Sequence, residues 1–256
     1  MGSSSPAQVT IRKALREWWR DRRARYRRFR TLAELFGNFW DFLRSSTPEQ
    51  RRRRFGDADF DWDNHVNTTS GTVSWRDRLL GIFSSGYQPS EPALFHEMMH
   101  SLPVDFRTFA FVDLGSGKGR ALMMASDYPF RRIVGVEFLP DLHCIAEENL
   151  RMYDSASRKC FDLQCICEDV RQFEFPADPL LIYLFNPFLE SVLLETITRL
   201  ERSLKTQPRP IFIVYHSPLL QEIVTRNGVF AKVSGTNQYS IFANQGARSM
   251  LAAKNL

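Results

Sequence analysis

The sequence predicts an α/β protein with a Rossmann-like open sheet, mostly parallel, that ends in an antiparallel hairpin. Helices are expected on both faces, and a basic helical segment precedes the sheet. Two observations predict this fold. From about residue 91, short apolar runs alternate with helical stretches in five successive units, as in a parallel sheet covered by helices. The last two apolar runs are instead joined by the short stretch "SGTN", which is typical of a hairpin.

Each unit pairs a strand-like run with a helical run or a turn. The first is "FAFVDL" with "RALMMASDY", and the second is "RIVGVE" with "PDLHCIAEENLRMY", where Pro140 occupies a favoured first-turn position. Then follow "DLQCICE", "LLIYLF" with "LESVLLETITRLERSL", and "PIFIVYH" with "SPLLQEIVTR". With the hairpin "VFAKVSGTNQYSIFA", these runs define a domain over 91–244 and leave 245–256 as a C-terminal tail.

The segment in front of this domain is basic. Residues 1–60 carry 15 Lys and Arg against 7 Asp and Glu, whereas the rest of the chain carries 19 against 22. Apolar side chains recur there every three or four residues between arginines, which predicts one or two amphipathic helices. Such helices either cap the main domain with a solvated face or bind nucleic acid or an anionic membrane surface.

Residues 61–90 are polar, rich in turn-forming residues and without periodicity, and we interpret them as a linker or lid. Asp61, Asp63 and His65 in this stretch are expected to be surface polar residues rather than members of a site.

Composition limits the class of protein. With 256 residues and 43% apolar side chains, the chain has enough apolar material for a packed interior. The longest apolar run is about seven residues, against the roughly 20 that a transmembrane helix needs, and the N-terminus lacks the apolar region of a signal peptide. The four cysteines lack the paired spacing of a zinc ribbon. We therefore expect a cytoplasmic protein with reduced cysteines and no transmembrane segment.

The stretch "FHEMMH" contains His-Glu-x-x-His, which in zinc metalloproteases places two histidines on one helical face. A third ligand is not evident downstream of His96 and His100, where Arg120 stands instead. We predict no metal site here, and assign the stretch to a helix that ends near Pro103 before the first strand. Four apolar side chains of this helix are expected to pack on the sheet: Phe95, Met98, Met99 and Leu102.

Polar side chains stand at the ends of four successive strands: Asp113, Glu137, Asp169 after Glu168, and Asn186. Each alone is consistent with a helix cap or a turn residue. In open α/β sheets, however, ligands bind at the carboxyl ends of the strands. Four polar strand ends in succession therefore indicate a ligand site at this edge.

The glycine loop after the first strand restricts the ligand. Gly115, Gly117 and Gly119 give Gly-x-Gly-x-Gly, which matches neither Walker A nor the dinucleotide fingerprint Gly-x-Gly-x-x-Gly. This spacing excludes a P-loop and argues against NAD. Glu137, which follows Asp113 by 24 residues, suits the two hydroxyls of a ribose. NAD and S-adenosylmethionine share that ribose, so the acidic residue alone does not discriminate between them.

Four motifs in this order resemble those of the class I, seven-stranded S-adenosylmethionine-dependent methyltransferases. They are "FVDLGSGKGR", "GVE", "CEDV" and "FNPF", and the resemblance covers about residues 87–243. It implies S-adenosyl-L-methionine as cofactor, with Asp113 and the glycine loop at the methionine part, Glu137 at the ribose, and Asp169 with Val170 at the adenine. The cofactor-binding residues expected from it are Asp113, Gly115, Ser116, Gly117, Lys118, Gly119, Glu137, Phe138, Asp169, Val170 and Asn186.

Within that family the sequence looks most like the non-SET protein lysine methyltransferases and related bacterial proteins, partly because "YQPSEP" with Tyr87 precedes the first helix of the domain. "NPF" is also similar to the Asn-Pro-Pro-aromatic motif of enzymes that methylate amide or exocyclic amine nitrogens. It lacks the second proline, so Phe188 comes one place early. The resemblance implies methyl transfer to a nitrogen nucleophile, first of all on a protein such as at lysine. The alternatives are an RNA or DNA methyltransferase that uses the basic front segment, and a non-catalytic cofactor-binding or nucleic-acid-binding module.

Methyl transfer needs a nucleophile lone pair held about 3 to 3.5 Å from the methyl carbon in a site that excludes water. The Asn186 side-chain oxygen is placed to accept N–H bonds from a nitrogen nucleophile. The rings of Phe188 and Tyr87 are placed to meet developing positive charge, worth roughly 0.5 to 2 kcal/mol each. The predicted catalytic residues are Asn186, Pro187, Phe188 and Tyr87. Tyr215 and His216, which end the fifth strand, either touch substrate or act as a base, or else simply form a turn.

Overall fold

A computed structural model describes residues 58–69, 89–185 and 188–254. The predicted helices of the basic front segment lie outside these residues. The helices of the described part are α1 (Ala58–Asn64), α2 (Pro92–His100), α3 (Arg120–Ala125), α4 (Pro140–Met152), α5 (Glu190–Thr206), α6 (Gln221–Thr225) and α7 (Gln245–Lys254), with a 3-10 turn at Phe106–Thr108. The strands are β1 (Ala110–Leu114), β2 (Arg132–Glu137), β3 (Leu163–Cys167), β4 (Leu180–Phe185), β5 (Ile211–His216), β6 (Ala231–Gly235) and β7 (Tyr239–Ala243).

These strands form one sheet in the order β3-β2-β1-β4-β5-β7-β6. β1 lies at the switch point, with Ala110 opposite Arg132 of β2 on one side and Leu180 of β4 on the other, both in parallel register. β7 pairs antiparallel with both β5 and β6. The predicted open sheet with a terminal antiparallel hairpin is therefore confirmed.

The central strands form because their sequences are apolar on both faces. β1 and β5 are buried along their whole length, as is β4 up to its last residue. Alternate residues supply two cores. The first core lies on one face of the sheet and contains Phe95 of α2, Phe111, Leu122 and Tyr183. The second core lies on the other face and contains Val112, Ile182, Ile197 and Ile213. The sheet is therefore covered on both faces, as predicted.

Helix α2 shows why the "FHEMMH" stretch is helical. Pro92 stands at its first position, where a missing N–H costs nothing. Its buried side chains follow the helical repeat and pack into the first core: Leu94, Phe95, Met98 and Met99. Leu102, just beyond the helix, is buried as well. The packing role predicted for this helix is confirmed.

The last helix differs from the prediction, because residues 245–254 form α7 rather than a tail. Asn244 begins it. Its side-chain oxygen accepts from the backbone N–H groups of Ala247 and Ile211, each at 3.0 Å, and its amide donates to the carbonyl of Arg209 at 2.8 Å. The helix start is thereby tied to β5, and Ala247 is fully buried. Helix α6 is also shorter than "SPLLQEIVTR" suggested. Within the described ranges, no helix is long and apolar enough to cross a membrane.

Candidate active site

The glycine loop turns over the carboxyl end of β2. Gly115, Gly117 and Gly119 have φ of 86°, 54° and 83°, values that residues with a side chain rarely adopt. The backbone N–H groups of Gly115 and Ser116 donate to the carbonyl of Val136 at 2.8 and 3.1 Å. The loop is therefore held against the neighbouring strand by its own backbone.

Glu137 ends β2 and shapes the loop from the other side. Its side chain is only 5% exposed. One carboxylate oxygen accepts from the N–H of Gly117 and the other from the N–H of Leu139, both at 2.8 Å. The structure thus brings Glu137, which is predicted to bind the ribose, into contact with the glycine loop, which is predicted to bind the methionine part of the cofactor.

Asp113 lies beside this pair, near the end of β1. It stands opposite Gly135 of β2 and Tyr183 of β4, and it is 3% exposed. Burial, and then the negative charge of Glu137, raise the pKa of Asp113 well above its ordinary value. Two buried carboxyl groups therefore share one small region at the sheet edge.

Gly135, which was not among the predicted site residues, determines how closely the loop approaches β2. A Cβ atom at Gly135 would come 2.5 Å from Leu122 Cδ1 and 2.7 Å from the Ser116 hydroxyl oxygen. The signal in the sequence was the glycine inside the strand "RIVGVE", because glycine within a strand marks a close approach of another chain segment.

The residues predicted to surround the adenine follow β3, where the N–H of Glu168 donates to the carbonyl of Glu137 at 3.0 Å. Asp169 follows β3, and its carboxylate accepts from the Arg171 guanidinium, with Nη2 at 2.6 Å and Nε at 3.0 Å. Val170 is buried in the core that contains Val112. Phe138, which follows Glu137 in the chain, is half-buried. Arg171 was not anticipated, although it lies two residues from a predicted ligand.

Lys118 is the predicted loop residue whose position was least expected, because its side chain is fully buried. Its ammonium donates to the carbonyl of Thr69 at 2.8 Å and to the Asn67 side-chain oxygen at 3.3 Å. Burial lowers its pKa to about 8. Residues 67–69, which we predicted to be linker or lid, therefore contact the glycine loop directly.

At the ends of β4 and β5, three side chains form a buried hydrogen-bonded chain. The Tyr183 hydroxyl lies 2.8 Å from the Ser90 hydroxyl and 3.0 Å from His216 Nδ1, and the Phe185 ring stacks on the imidazole at 3.9 Å. Burial lowers the pKa of His216 to about 4, so the imidazole is neutral near pH 7. Tyr215 packs into the core of the opposite face. The two candidates from the fifth strand are thus separated by the sheet.

Of the four predicted catalytic residues, the structure describes Phe188. Asn186, Pro187 and Tyr87 lie outside the described residues. Phe188 is half-buried against the core that contains Val112.

The two histidines of "FHEMMH" have other contacts. His96 Nδ1 lies 2.8 Å from the Tyr128 hydroxyl, and the His100 ring packs against the same tyrosine. In the portion of the chain that the structure describes, no group of three His, Cys, Asp or Glu side chains is arranged to hold a metal ion. The histidines thus serve the packing between α2 and the turn after α3.

The strand order with a reversed seventh strand, the glycine loop after β1 and the acid at the end of β2 define the fold as that of the class I, seven-stranded methyltransferases. A scan of protein-family models and a search of curated proteins gave no match to the sequence.

Solved structures align with part of this chain. An RNA methyltransferase from Salinibacter ruber in complex with S-adenosyl-L-homocysteine is 19% identical, covering 61% of this chain and 92% of its own, with a TM-score of 0.41. A ribosomal protein L11 methylase from Lactobacillus delbrueckii subsp. bulgaricus is 13% identical, with coverages of 59% and 74% and a TM-score of 0.41. A precorrin-6y C5,15-methyltransferase from Geobacter metallireducens GS-15 is 18% identical, with coverages of 59% and 87% and a TM-score of 0.42.

Proposed function

We propose that this chain is an S-adenosyl-L-methionine-dependent methyltransferase that transfers a methyl group to a nitrogen nucleophile on a protein, lysine first. The observation that carries the proposal is the pair of buried carboxyl groups, Asp113 and Glu137, beside a loop of three left-handed glycines. Because their like charge disfavours ionisation of both, a ligand with positive charge and hydroxyl groups is favoured over an anionic pyrophosphate. S-adenosylmethionine joins a sulfonium to a ribose without a pyrophosphate, whereas NAD carries a pyrophosphate between its two riboses.

The residues fit this cofactor in separate roles. The glycine loop lets a ligand approach the backbone without an intervening side chain. Asp113 is assigned to the methionine part, Glu137 to the ribose hydroxyls, and Asp169 with Val170 to the surroundings of the adenine. When bound, S-adenosylmethionine supplies an electrophilic methyl group on a sulfonium. The protein's task is to align the acceptor nitrogen with that carbon and to exclude water.

The acceptor half of the site is assigned to the ends of β4 and β5. The described side chains there are aromatic or neutral, with Phe185 stacked on His216 and Tyr183 bonded to it. A neutral, aromatic environment favours an uncharged amine, which attacks through its lone pair, and ring faces stabilise the positive charge that develops on nitrogen. Asn186 is assigned to accept the N–H bonds of that amine, with Pro187, Phe188 and Tyr87 around it.

Calorimetric titration with S-adenosylhomocysteine and with NAD tests the cofactor assignment. We expect binding of the first alone, and a loss of about tenfold or more in affinity for Glu137→Gln. The matched control is Glu148→Gln, which neutralises an exposed carboxylate on α4. Binding of NAD with no binding of S-adenosylhomocysteine would make the chain a nicotinamide-dependent protein instead.

Transfer of a labelled methyl group to cell-lysate fractions tests the acceptor. We expect a labelled species that protease removes and nuclease leaves intact. The reverse pattern would replace the protein acceptor by RNA or DNA, and cofactor binding without any labelled species would favour a non-catalytic module. Asn186→Ala is expected to retain cofactor binding and lose turnover; undiminished turnover would remove Asn186 from the mechanism.

A further inference from the structure

Residues 61–69, which we call the strap, fold around one carboxylate. Asp61 Oδ2 accepts from the backbone N–H groups of Thr68 and Thr69 at 2.7 and 2.8 Å, and Asp61 Oδ1 accepts from the Thr68 hydroxyl. The Asp61 side chain is only 12% exposed and Thr68 is fully buried. The prediction that Asp61 is a surface residue is therefore wrong, whereas Asp63 and His65 are exposed as predicted.

The strap is bonded to the first residue of α3, next to the glycine loop. Arg120 Nε donates to the Thr68 hydroxyl oxygen at 2.6 Å, and Arg120 Nη2 lies 3.3 Å from Asp61 Oδ1. The guanidinium also lies 4.9 Å from the centre of the Phe60 ring. Arg120 is 2% exposed, so these contacts hold a buried cation.

A second buried cation ties the strap to the loop itself, since the Lys118 ammonium donates to strap oxygens. Asn149 of α4 closes the arrangement. Its amide donates to the carbonyls of Lys118 and Asn67 at 2.9 and 3.0 Å, and its oxygen accepts from the Asn67 N–H at 2.8 Å. Loop, strap and α4 therefore share one hydrogen-bond network.

The energetics make the loop and the strap depend on each other. Burying a cation is costly unless acceptors meet it, so the strap oxygens bonded to Lys118 and Arg120 help to hold both cations in these positions. The loop that includes Lys118 and precedes Arg120 contains three glycines, which have the largest conformational freedom to lose on ordering. A loop of this kind needs support from outside, and it has Glu137 on one side and the strap on the other.

We propose that the strap is a positioning element of the cofactor site, in which the Thr68 hydroxyl, bonded between Arg120 and Asp61, holds the glycine loop in its ligand-binding shape. The cofactor part of this inference rests on the proposed function. Thr68 does not touch the cofactor; it acts through Arg120 and the adjoining loop. Loss of its hydroxyl leaves the Arg120 Nε–H without that acceptor and loosens the loop.

The test compares Thr68→Val, which keeps the shape and removes the hydroxyl, with Thr68→Ser, which restores it. Hydrogen exchange of residues 115–122 is measured without ligand, and the Kd for S-adenosylhomocysteine is measured by calorimetry. We expect Thr68→Val to speed exchange in this segment by about tenfold and to raise the Kd by about tenfold, with both recovered in Thr68→Ser. Asp63→Asn, an exposed change in the same strap, is the control and should alter neither.

Equal exchange rates in wild type and Thr68→Val would overturn the proposal, as would acceleration spread evenly over all strands, which reports global destabilisation. Faster exchange with an unchanged Kd would overturn the role of the strap in cofactor binding. Should Thr68→Val not fold, Asp61→Asn decides by the same two measurements. If wild type itself binds no S-adenosylhomocysteine, the proposed function fails, and the exchange experiment still decides whether the strap holds the loop.

Discussion

Acid should destabilise this protein through His216. The folded-state pKa of about 4 lies below the ordinary value of 6.5 because the imidazole is buried. Between pH 4 and pH 6.5, the unfolded chain therefore binds a proton at this imidazole and the folded chain does not. Stability from this group is complete above pH 6.5, falls as pH decreases, and is fully lost below pH 4. The whole shift corresponds to about 3 kcal/mol, of which about 2 kcal/mol is lost by pH 5.

The assay is urea unfolding of wild type and His216→Asn at pH 7 and pH 5. Asp113 titrates in the opposite direction, because its raised pKa makes the folded state gain a proton first as pH falls. Comparing the pH dependence of the two proteins cancels that contribution. Wild type should lose about 2 kcal/mol more than His216→Asn between the two pH values. Equal losses would refute the reasoning. His65→Asn is the control, at an exposed position whose φ of 55° suits asparagine.

Three further predictions concern stability. Gly135→Ala should lower the free energy of unfolding, measured in urea, by about 1–3 kcal/mol, since its Cβ would come 2.5 Å from a leucine methyl carbon. Gly246→Ala is the control, because the nearest atom to its Cβ would lie 3.5 Å away. Tyr183→Phe removes the hydroxyl between two buried polar groups and should cost about 1–3 kcal/mol by the same assay; no loss would mean that water replaces it. Because the pKa of Lys118 is lowered to about 8, its contribution to stability should rise by about 2 kcal/mol from pH 8 to pH 10, a rise that Lys118→Met should lack.

The sheet could be predicted because its central strands are apolar runs of five or six residues, a length typical of buried strands and short for a helix, between stretches with helical spacing. "RIVGVE" and "LLIYLF" coincide with β2 and β4 residue for residue. The polar strand ends could be predicted as well, since the topology of a parallel sheet brings Asp113 and Glu137 to one edge whatever the loops do.

The strap could not be predicted, because nothing periodic marks it. "FDWDNHVNTT" has the composition of a surface loop, and the two cations bonded to the strap, Lys118 and Arg120, lie about 50 residues further along the chain. Helix α7 was missed for a related reason. Its start depends on Asn244, whose side chain bonds to β5 as well as to the helix, and a tertiary contact of this kind leaves no mark in local spacing.

The two halves of the sheet edge differ in charge, and this difference suits the proposed reaction. At the ends of β1 and β2 lie two buried carboxyl groups, Asp113 and Glu137, whose joint ionisation a bound cation would favour. At the ends of β4 and β5, His216 stays neutral and is stacked on Phe185. Methyl transfer moves positive charge from sulfur to nitrogen, so a fixed cation at the acceptor half would oppose it. Asp113 and Tyr183 stand opposite each other where the halves meet, and Tyr183 is also bonded to His216. The register of β1 and β4 therefore places the carboxyl half of this edge directly beside its neutral half.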